Sequence, residues 1–366
     1  MTTGLRLNFN YLPPLTFTPD ERLAIRGKNL NLIRPFISDF KERGIIRELK
    51  IPQELFISSV FTAPKKDGRI RPIINLKNLN QFLNVPKFKM ETVARVSKCI
   101  LENSWGVIID LKDAFFLIPL AWSFHKYFAF MIDNKILVFQ FMPFGLSLAP
   151  WAFTRVMRPV MREIHNKGTT SFCLLDDFLI TALSADELTQ KSEEILELFQ
   201  NLGIQVNWNK SSLTPAQRLE YLGVMFNFRR MTLSIPRDKI SSIQTEANSF
   251  LQRTFCTRRE LESMIGLLNF AASYIPLGRL CLLPIIQWTN AHTRARQRDQ
   301  PVTLSPLFKK LLNPWRNPSF LNKSIPMSLV SPNTVLMTDA SRTGWGGYVF
   351  HSGLLECGLR TSKTNQ

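Results

Sequence analysis

Two adjacent aspartates interrupt a run of apolar residues near the middle of the chain. Asp176 and Asp177 lie at the centre of residues 172–180, and the apolar residues on both sides predict two buried strands joined by a tight turn. That turn would display both carboxylates at its tip. Because burial of an unpaired carboxylate is costly, we expect cations or metal ions to neutralise such a pair.

A third acid occupies a similar setting upstream. Asp110 ends the β-branched run of residues 105–110 and is predicted to face the turn with Asp176 and Asp177 from a neighbouring strand. Taken singly, each acid is explained as well or better by an exposed turn. Together, three carboxylates from two strands are what a two-metal phosphoryl-transfer centre needs, with ions roughly 3.5–4 Å apart.

Charge and cysteine content restrict the class of protein. The 366 residues carry 46 Lys and Arg against 28 Asp and Glu, a net charge of +18 that is spread along the chain. This balance indicates an extended polyanion partner, although a ribosome-associated or membrane-surface protein can be equally basic. The five cysteines form no C-x-x-C pair, so the sequence predicts neither a disulfide framework nor a zinc site. Without a signal peptide or spanning segment, we expect a soluble, intracellular protein of the cytoplasm or nucleus, with no membrane partner.

Residues 60–76 predict a basic β-hairpin. Two β-rich runs flank a Lys-Asp-Gly turn, and Lys65, Arg69 and Arg71 can share one face. Arg and Lys on such a hairpin suit contacts with a triphosphate or a backbone phosphate. A solvated hairpin tip is the simpler alternative.

The residues after Asp110 predict a nucleotide-binding turn. Asp113, Ala114 and Phe115 follow the strand where the chain turns away, and backbone N–H groups there could face a triphosphate. The Phe115 ring could lie beneath a bound sugar and exclude a 2′-hydroxyl, which would favour deoxynucleotides. The alternative is that Phe115 is a core aromatic residue.

Two further segments carry candidate residues. A Pro- and Gly-bounded loop at residues 140–150 leads into a helix with Pro150 in its first turn and arginines 155, 158 and 162 on one face. That face is either a template contact or a solvated basic surface. Lys210 lies in a loop before the strand-like segment 221–226 and could protonate a leaving pyrophosphate, or it could be an ordinary surface lysine.

The C-terminal part is predicted to change character twice. Residues from 236 onward read as amphipathic helices, and residues 291–334 are rich in proline and basic residues, as in a connector. Asp339 then ends a strand that turns into a second strand at residues 344–350. The roughly 30 residues that remain are too few for an independent core.

In this order, these motifs resemble those of the reverse transcriptases of retroelements. Residues 88–92, 144–150 and 267–272 look most like the DIRS group, and the likeness covers roughly residues 30–350. The resemblance implies an α+β right-hand polymerase fold with fingers, palm and thumb, followed by the first strands of an RNase H-like domain. The domains expected from it are a lead-in with a docking helix (1–50), fingers and palm (51–235), thumb (236–290), connector (291–333) and RNase H-like start (334–366).

The resemblance also implies a role for each matching residue. Asp110, Asp176 and Asp177 would hold two Mg²⁺ ions, with Mn²⁺ as a possible substitute, while the partners would be an RNA or DNA template-primer and a dNTP. Oligomeric state stays open. The other expected roles are triphosphate binding by Lys65 and Arg71, a sugar gate at Phe115, nucleotide packing by Phe144 and Gly145, and primer placement by Leu174, Tyr221, Leu222 and Gly223.

Two departures from the family pattern restrict these expectations. Leu174 occupies a position that is usually Tyr in the family and contacts the primer end, so activity could be weakened. Asp339 matches the first acid of RNase H, but the helix with the second acid is missing and Glu356 comes too early to replace it, so no RNase H activity is expected. The alternatives are a decayed or domesticated copy that only binds nucleic acid, and an RNA-templated RNA polymerase.

Overall fold

The chain folds into two compact units, each with its own hydrophobic core. They comprise Met1–Leu222 and Gly223–Gln366. The computed structural model describes residues 4–17, 28–50, 53–64, 70–132, 135–293, 297, 299–327, 334–340, 344–351 and 354–361.

The first unit combines five helices and ten strands within the described residues. Two short 3₁₀ helices, Ala114–Leu117 and Trp122–Tyr127, also belong to it. The helices and strands are α1 (Lys28–Glu42), α2 (Lys77–Asn80), α3 (Val93–Cys99), α4 (Ala149–Asn166), α5 (Ala185–Asn201), β1 (Ile46–Glu48), β2 (Val60–Pro64), β3 (Ile70–Ile74), β4 (Trp105–Asp110), β5 (Ala129–Ile132), β6 (Lys135–Phe139), β7 (Thr170–Leu174), β8 (Asp177–Ala182), β9 (Ser212–Ala216) and β10 (Arg218–Tyr221).

A four-stranded antiparallel sheet in the order β7-β8-β4-β9 forms the centre of this unit. Helix α4 packs on β7, and α5 packs on β4, β8 and β9. The fully buried rings of Phe178 and Phe199 join strand β8 to α5 with centroids 5.1 Å apart. Each such buried ring contributes about 1.5–3 kcal/mol relative to exposure, so the sheet is a firm support for residues at its ends.

The two strands of the predicted hairpin pair, and a helix forms within the N-terminal residues 1–50. Strands β2 and β3 pair antiparallel from Val60↔Ile74 to Pro64↔Ile70. Helix α1 ends at Glu42, just before Gly44, whose φ of 67° is one that glycine adopts without strain. A further antiparallel sheet has the order β1-β6-β5.

The second unit is built on helices. Its core contains the aromatic side chains of Trp288, Phe308 and Phe250, whose rings contact one another at tilted angles, together with the fully buried Trp315. Its elements are α6 (Arg237–Gln252), α7 (Arg258–Ala272), α8 (Gly278–Thr293), α9 (Pro306–Leu311), α10 (Pro318–Leu321), β11 (Val224–Asn227), β12 (Thr232–Ser234), β13 (Phe255–Thr257), β14 (Pro301–Thr303), β15 (Ser324–Pro326), β16 (Thr334–Ala340), β17 (Gly344–His351) and β18 (Leu354–Thr361).

The C-terminal strands extend the prediction by one strand. Strands β16, β17 and β18 pair consecutively as an antiparallel sheet, whereas the sequence predicts only the first two. None of the described helices combines the length and the apolar character needed to cross a bilayer. Cys99, Cys173, Cys256 and Cys281 are free thiols.

Candidate active site

The turn that carries the acid pair is as tight as a hairpin allows. Leu174 of β7 pairs with Asp177 of β8, so only Leu175 and Asp176 lie between the strands. Leu175 has a φ of 55°, a left-handed value that costs energy for a residue with a branched side chain. The strands on both sides are held by the buried core, which keeps the turn in this conformation.

Asp110 lies directly opposite Asp177. Strand β4 pairs with β8 in a register that ends at Asp110↔Asp177, so both side chains leave the sheet on the same face. Opposed residues of an antiparallel pair have Cβ atoms about 4.5–5.5 Å apart. The N–H of Leu111 donates to the carbonyl oxygen of Asp176 over 2.8 Å, which brings the turn against the end of β4. The structure therefore gathers all three acids at one end of the central sheet.

The three acids share an electrostatic environment. Burial, followed by the charges of Asp176 and Asp110, raises the pKa of Asp177 to about 6. Burial and the charge of Asp110 also raise the pKa of Asp176, while Lys210 acts in the opposite direction on both. The ionised forms of Asp176 and Asp177 are thus less stable here than in water.

The donor set fits a divalent cation in its chemistry. Asp110 is 6% exposed, and clustered carboxylates whose charge is opposed by burial and by one another are stabilised by a cation. As the side chains stand, no three carboxylate, imidazole or thiolate groups among the described residues already surround a common point. Rotation of the aspartate side chains at this end of the sheet would be needed to place them around an ion.

Lys210 extends towards the same acids. Its Nζ lies 3.5 Å from Asp110 Oδ2, and the lysine side chain is 67% exposed. The other carboxylate oxygen of Asp110 accepts a hydrogen bond from Asn207, and the backbone of Asp110 is bonded to Ser211. Sequence reasoning did not select Asn207 or Ser211. Their position in the same short loop as Lys210 was the available signal.

The segment after Asp110 begins with a left-handed residue. Asp113 has a φ of 53° and forms an ion pair of 2.8 Å with Arg43, which follows α1. The Asp113 carboxylate is therefore bound to the residue that follows α1, a partner that the sequence did not reveal. Ala114 is buried, and Phe115 is half-buried.

The Phe115 ring contacts the predicted nucleotide loop. Its centroid lies 4.9 Å from that of Phe144, whose side chain is 42% exposed. Gly145 has a φ of 93°, a value favourable only to glycine. Asn80 of α2 holds this loop by donating from Nδ2 to Gly145 O over 2.9 Å and accepting from Ser147 N over 2.9 Å. Asn80 lies 65 residues from Gly145, so no local pattern indicates this contact.

The predicted primer-contacting residues lie at a strand end. The buried Tyr221 donates from its hydroxyl to the carbonyl oxygen of Asp177 over 3.3 Å, and burial raises the pKa of that hydroxyl. Leu174 is the β7 residue opposite Asp177. Leu222 and Gly223 have φ values of 51° and 70°, and Gly223 O accepts a hydrogen bond of 3.0 Å from Lys239.

The structure gives less detail for three other predicted residues, Lys65, Arg71 and Asp339. Lys65 lies outside the described residues, and Arg71 belongs to β3 at the position opposite Ala63. Asp339 is an exposed residue of β16, opposite Gly346 of β17. The arginines at 155, 158 and 162 of α4 are all exposed, and Arg155 lies over the ring of Trp151.

Comparisons with known proteins support the resemblance to reverse transcriptases. The family model described as "Reverse transcriptase (RNA-dependent DNA polymerase)" matches residues 63–226, which include Asp110, Asp176, Asp177 and Lys210. Similar curated proteins include the Transposon Tf2-7 and Tf2-3 polyproteins of Schizosaccharomyces pombe. Each is 23% identical over 273 residues, which is 72% of this chain. The match spans 19% of the length of either polyprotein.

Similar solved structures define the fold class. The foamy viral protease-reverse transcriptase in complex with an RNA/DNA hybrid gives a TM-score of 0.70 at 18% identity, covering 92% of this chain and 44% of that one. The same protein in complex with double-stranded DNA gives a TM-score of 0.69 at 17% identity, and the match covers 97% of this chain and 73% of that one. The fold is therefore α+β and of the right-hand polymerase class, as predicted. The comparisons show similarity to retroelement reverse transcriptases and do not distinguish the DIRS group from other retroelements.

Proposed function

We propose that this chain is an RNA-directed DNA polymerase of a retrotransposon. The observation that carries the proposal is the placement of Asp110 directly opposite Asp177, beside the turn with Asp176, on a polymerase fold. In the reaction, the 3′-hydroxyl of a primer attacks the α-phosphate of a dNTP, and pyrophosphate leaves.

We propose that Asp110, Asp176 and Asp177 hold two divalent ions, Mg²⁺ with Mn²⁺ as a substitute. When bound, such ions supply charge stabilisation to the attacking and leaving oxygens. The raised pKa values of Asp176 and Asp177 support this assignment, because a bound cation would offset the burial and the mutual repulsion that raise them.

Lys210 is proposed as the group that gives a proton to pyrophosphate. Its ammonium lies near Asp110 while most of the side chain is exposed, so it can reach a bound triphosphate. Lys65, Arg71, Asp113 and Ala114 are proposed to line the triphosphate side of the pocket. Because the pair Arg43–Asp113 already neutralises the Asp113 carboxylate, Asp113 acts there through its backbone.

Phe115 is proposed as the sugar gate. Its contact with Phe144 fixes the ring beside an exposed aromatic surface, on the loop that contains Gly145. A ring held in this way would meet a 2′-hydroxyl, which favours dNTP over NTP.

The proposed partner is an RNA or DNA template-primer. The net charge of +18 and the exposed arginines of α4 suit a phosphate backbone, and the foamy viral protein binds an RNA/DNA hybrid and double-stranded DNA. Leu174, Tyr221, Leu222 and Gly223 are proposed to place the primer end. The five-part domain division, with Asp339 in an RNase H-like start, and the DIRS assignment are retained as proposals.

Primer extension tests the proposal. The purified chain, given a homopolymeric RNA template, a DNA primer and Mg²⁺ or Mn²⁺, should incorporate dNTP, and Asp176→Asn should abolish incorporation. Absence of extension by the wild-type chain, or undiminished extension by Asp176→Asn, would refute it.

A second function is favoured by one residue. Leu174 at the primer position suits a copy that binds nucleic acid without extending it. Salt-sensitive RNA binding without extension in the same assay would establish this alternative.

A further inference from the structure

We propose that Asn207 is a positioning residue for the Asp110 carboxylate, which it orients for metal binding. This inference rests on the proposed two-metal function and assigns a role to a residue outside the predicted site.

The first observation is the hydrogen bond between the two side chains. Asn207 Nδ2 donates to Asp110 Oδ1 over 2.8 Å, between residues 97 positions apart in the sequence. Asp110 is 6% exposed, so few water molecules can compete for this oxygen. Hydrogen bonds to a charged acceptor are about twice as strong as neutral ones, so the contact fixes the rotation of the carboxylate.

The second observation is that the backbones of the same two residues are also joined. Asn207 N donates to Asp110 O over 2.8 Å, and Asp110 N donates to Ser211 Oγ over 3.0 Å. Ser211 Oγ in turn donates to Asn207 O over 2.9 Å. Asp110 is therefore held by its N–H, its C=O and one carboxylate oxygen, all through residues 207–211.

The third observation is how the two carboxylate oxygens are divided. Oδ1 is occupied by Asn207, whereas Oδ2 faces the ammonium of Lys210 at 3.5 Å. The exposed lysine can move away, but the half-buried Asn207 is anchored by its backbone. Asn207 thus leaves Oδ2 as the oxygen available to a cation.

Residues that hold a metal ligand in this way affect affinity for the metal. Loss of such a partner typically weakens metal binding or activity by about 10–100-fold. A residue that only stabilised the loop would change the free energy of unfolding and leave metal affinity unchanged.

Manganese binding to the full chain tests the proposal directly. Titration with Mn²⁺, followed by the electron paramagnetic resonance signal of free Mn²⁺, gives a dissociation constant without any reaction. Asn207→Ala should raise this constant about 10–100-fold. The matched control is Asn209→Ala, since Asn209 is exposed in the same loop and has no side-chain hydrogen bond to another described residue. Its Mn²⁺ dissociation constant should stay within about twofold of the wild-type value.

Two further variants complete the design. Asp110→Asn should weaken Mn²⁺ binding, and adding Asn207→Ala to it should cause no further loss, because the two residues act as one unit. Asn207→Ser retains a small polar side chain that cannot reach Asp110. If Asn207→Ala fails to fold, Asn207→Ser takes its place, and the same rise in the Mn²⁺ dissociation constant is expected. In primer extension, both Asn207 variants should raise the KM for metal more than they lower kcat.

The outcomes separate the two proposals. Wild-type Mn²⁺ affinity in a folded Asn207 variant would overturn the role of Asn207 and leave the metal site intact. Equal binding by the wild-type chain and Asp110→Asn would overturn the metal site itself, and the role of Asn207 with it.

Discussion

Asp110 is the last residue of β4 and Asp339 the next-to-last residue of β16, and the surroundings of the two acids differ. Strand β4 is central in its sheet and is covered by α5, whereas β16 is an edge strand of a three-stranded sheet. Asp110 is 6% exposed and is joined by Asp177 and Asn207, whereas Asp339 is exposed. An acid at a strand end is thus only one part of a site, and distant elements must supply the others.

The largest expected effect separates these two acids. Asp110→Asn should reduce primer extension about 1,000-fold or more, because the cation's stabilisation of the transition state is worth several kcal/mol. Asp339→Asn should leave extension within about twofold of the wild-type rate. Single-turnover extension rates measure both, and comparable losses in the two variants would contradict the distinction.

Substitution of Lys210 provides the next test of the proposed active site around Asp110. Lys210→Gln should reduce the rate of the chemical step about 100-fold, since it removes the proposed general acid. Lys191→Gln is the control, because Lys191 pairs with Glu187 at 2.7 Å on α5. Rapid-quench measurements should show the loss in Lys210→Gln alone, and equal rates for the two variants would leave Lys210 as a surface lysine.

Phe115 tests whether the pocket beside Asp110 selects the sugar. Phe115→Val should lower the ratio of kcat/KM for dNTP over NTP by roughly 10–100-fold, because it removes the ring that would meet a 2′-hydroxyl. Phe130→Leu serves as a core control, since Phe130 is buried against Phe139. Unaltered discrimination in Phe115→Val would assign the ring to the core instead.

The smallest effect concerns pH and the crowding of the carboxylates. The folded chain raises the pKa of Asp177 from 3.8 to about 6, so folding disfavours its ionised form. In EDTA, the contribution of Asp177 to the free energy of unfolding should fall as pH rises from about 4 to 6. After solvent screening, the loss should be about 1 kcal/mol.

Chemical denaturation at several pH values measures this contribution. Asp177→Asn should remove the slope, and Mg²⁺ should reduce it in the wild-type chain because a bound cation stabilises the ionised form. If the free energy of unfolding instead rose over this pH range in the wild-type chain and not in Asp177→Asn, the raised pKa of Asp177 would be contradicted.

Local patterns were sufficient for the parts of the fold that depend on neighbours in sequence. The two-residue turn before Asp177 and the hairpin of β2 and β3 follow from the alternation of apolar and polar residues and from turn signals. The opposition of Asp110 and Asp177 followed from two buried strands with acids at their ends.

Contacts across long sequence separations were not predictable in this way. Asn207 and Ser211 bind Asp110 from 97 and 101 residues away, and Asn80 holds the loop of Gly145 from 65 residues away. Polar residues in loops are common, and only the pairing of β4 with its neighbours brings these particular ones to the site. The ion pair between Arg43 and Asp113 was missed for the same reason.

The proposed polymerase activity requires that Asp110, Asp176 and Asp177 together hold a pair of metal ions. The most direct measurement is a crystal structure of the chain with primer-template, a non-hydrolysable dNTP and Mn²⁺, in which anomalous scattering locates the metal. Two peaks about 3.5–4 Å apart are expected at these three carboxylates. Anomalous peaks elsewhere in the molecule, with no metal at Asp110 and Asp177, would contradict the two-metal site.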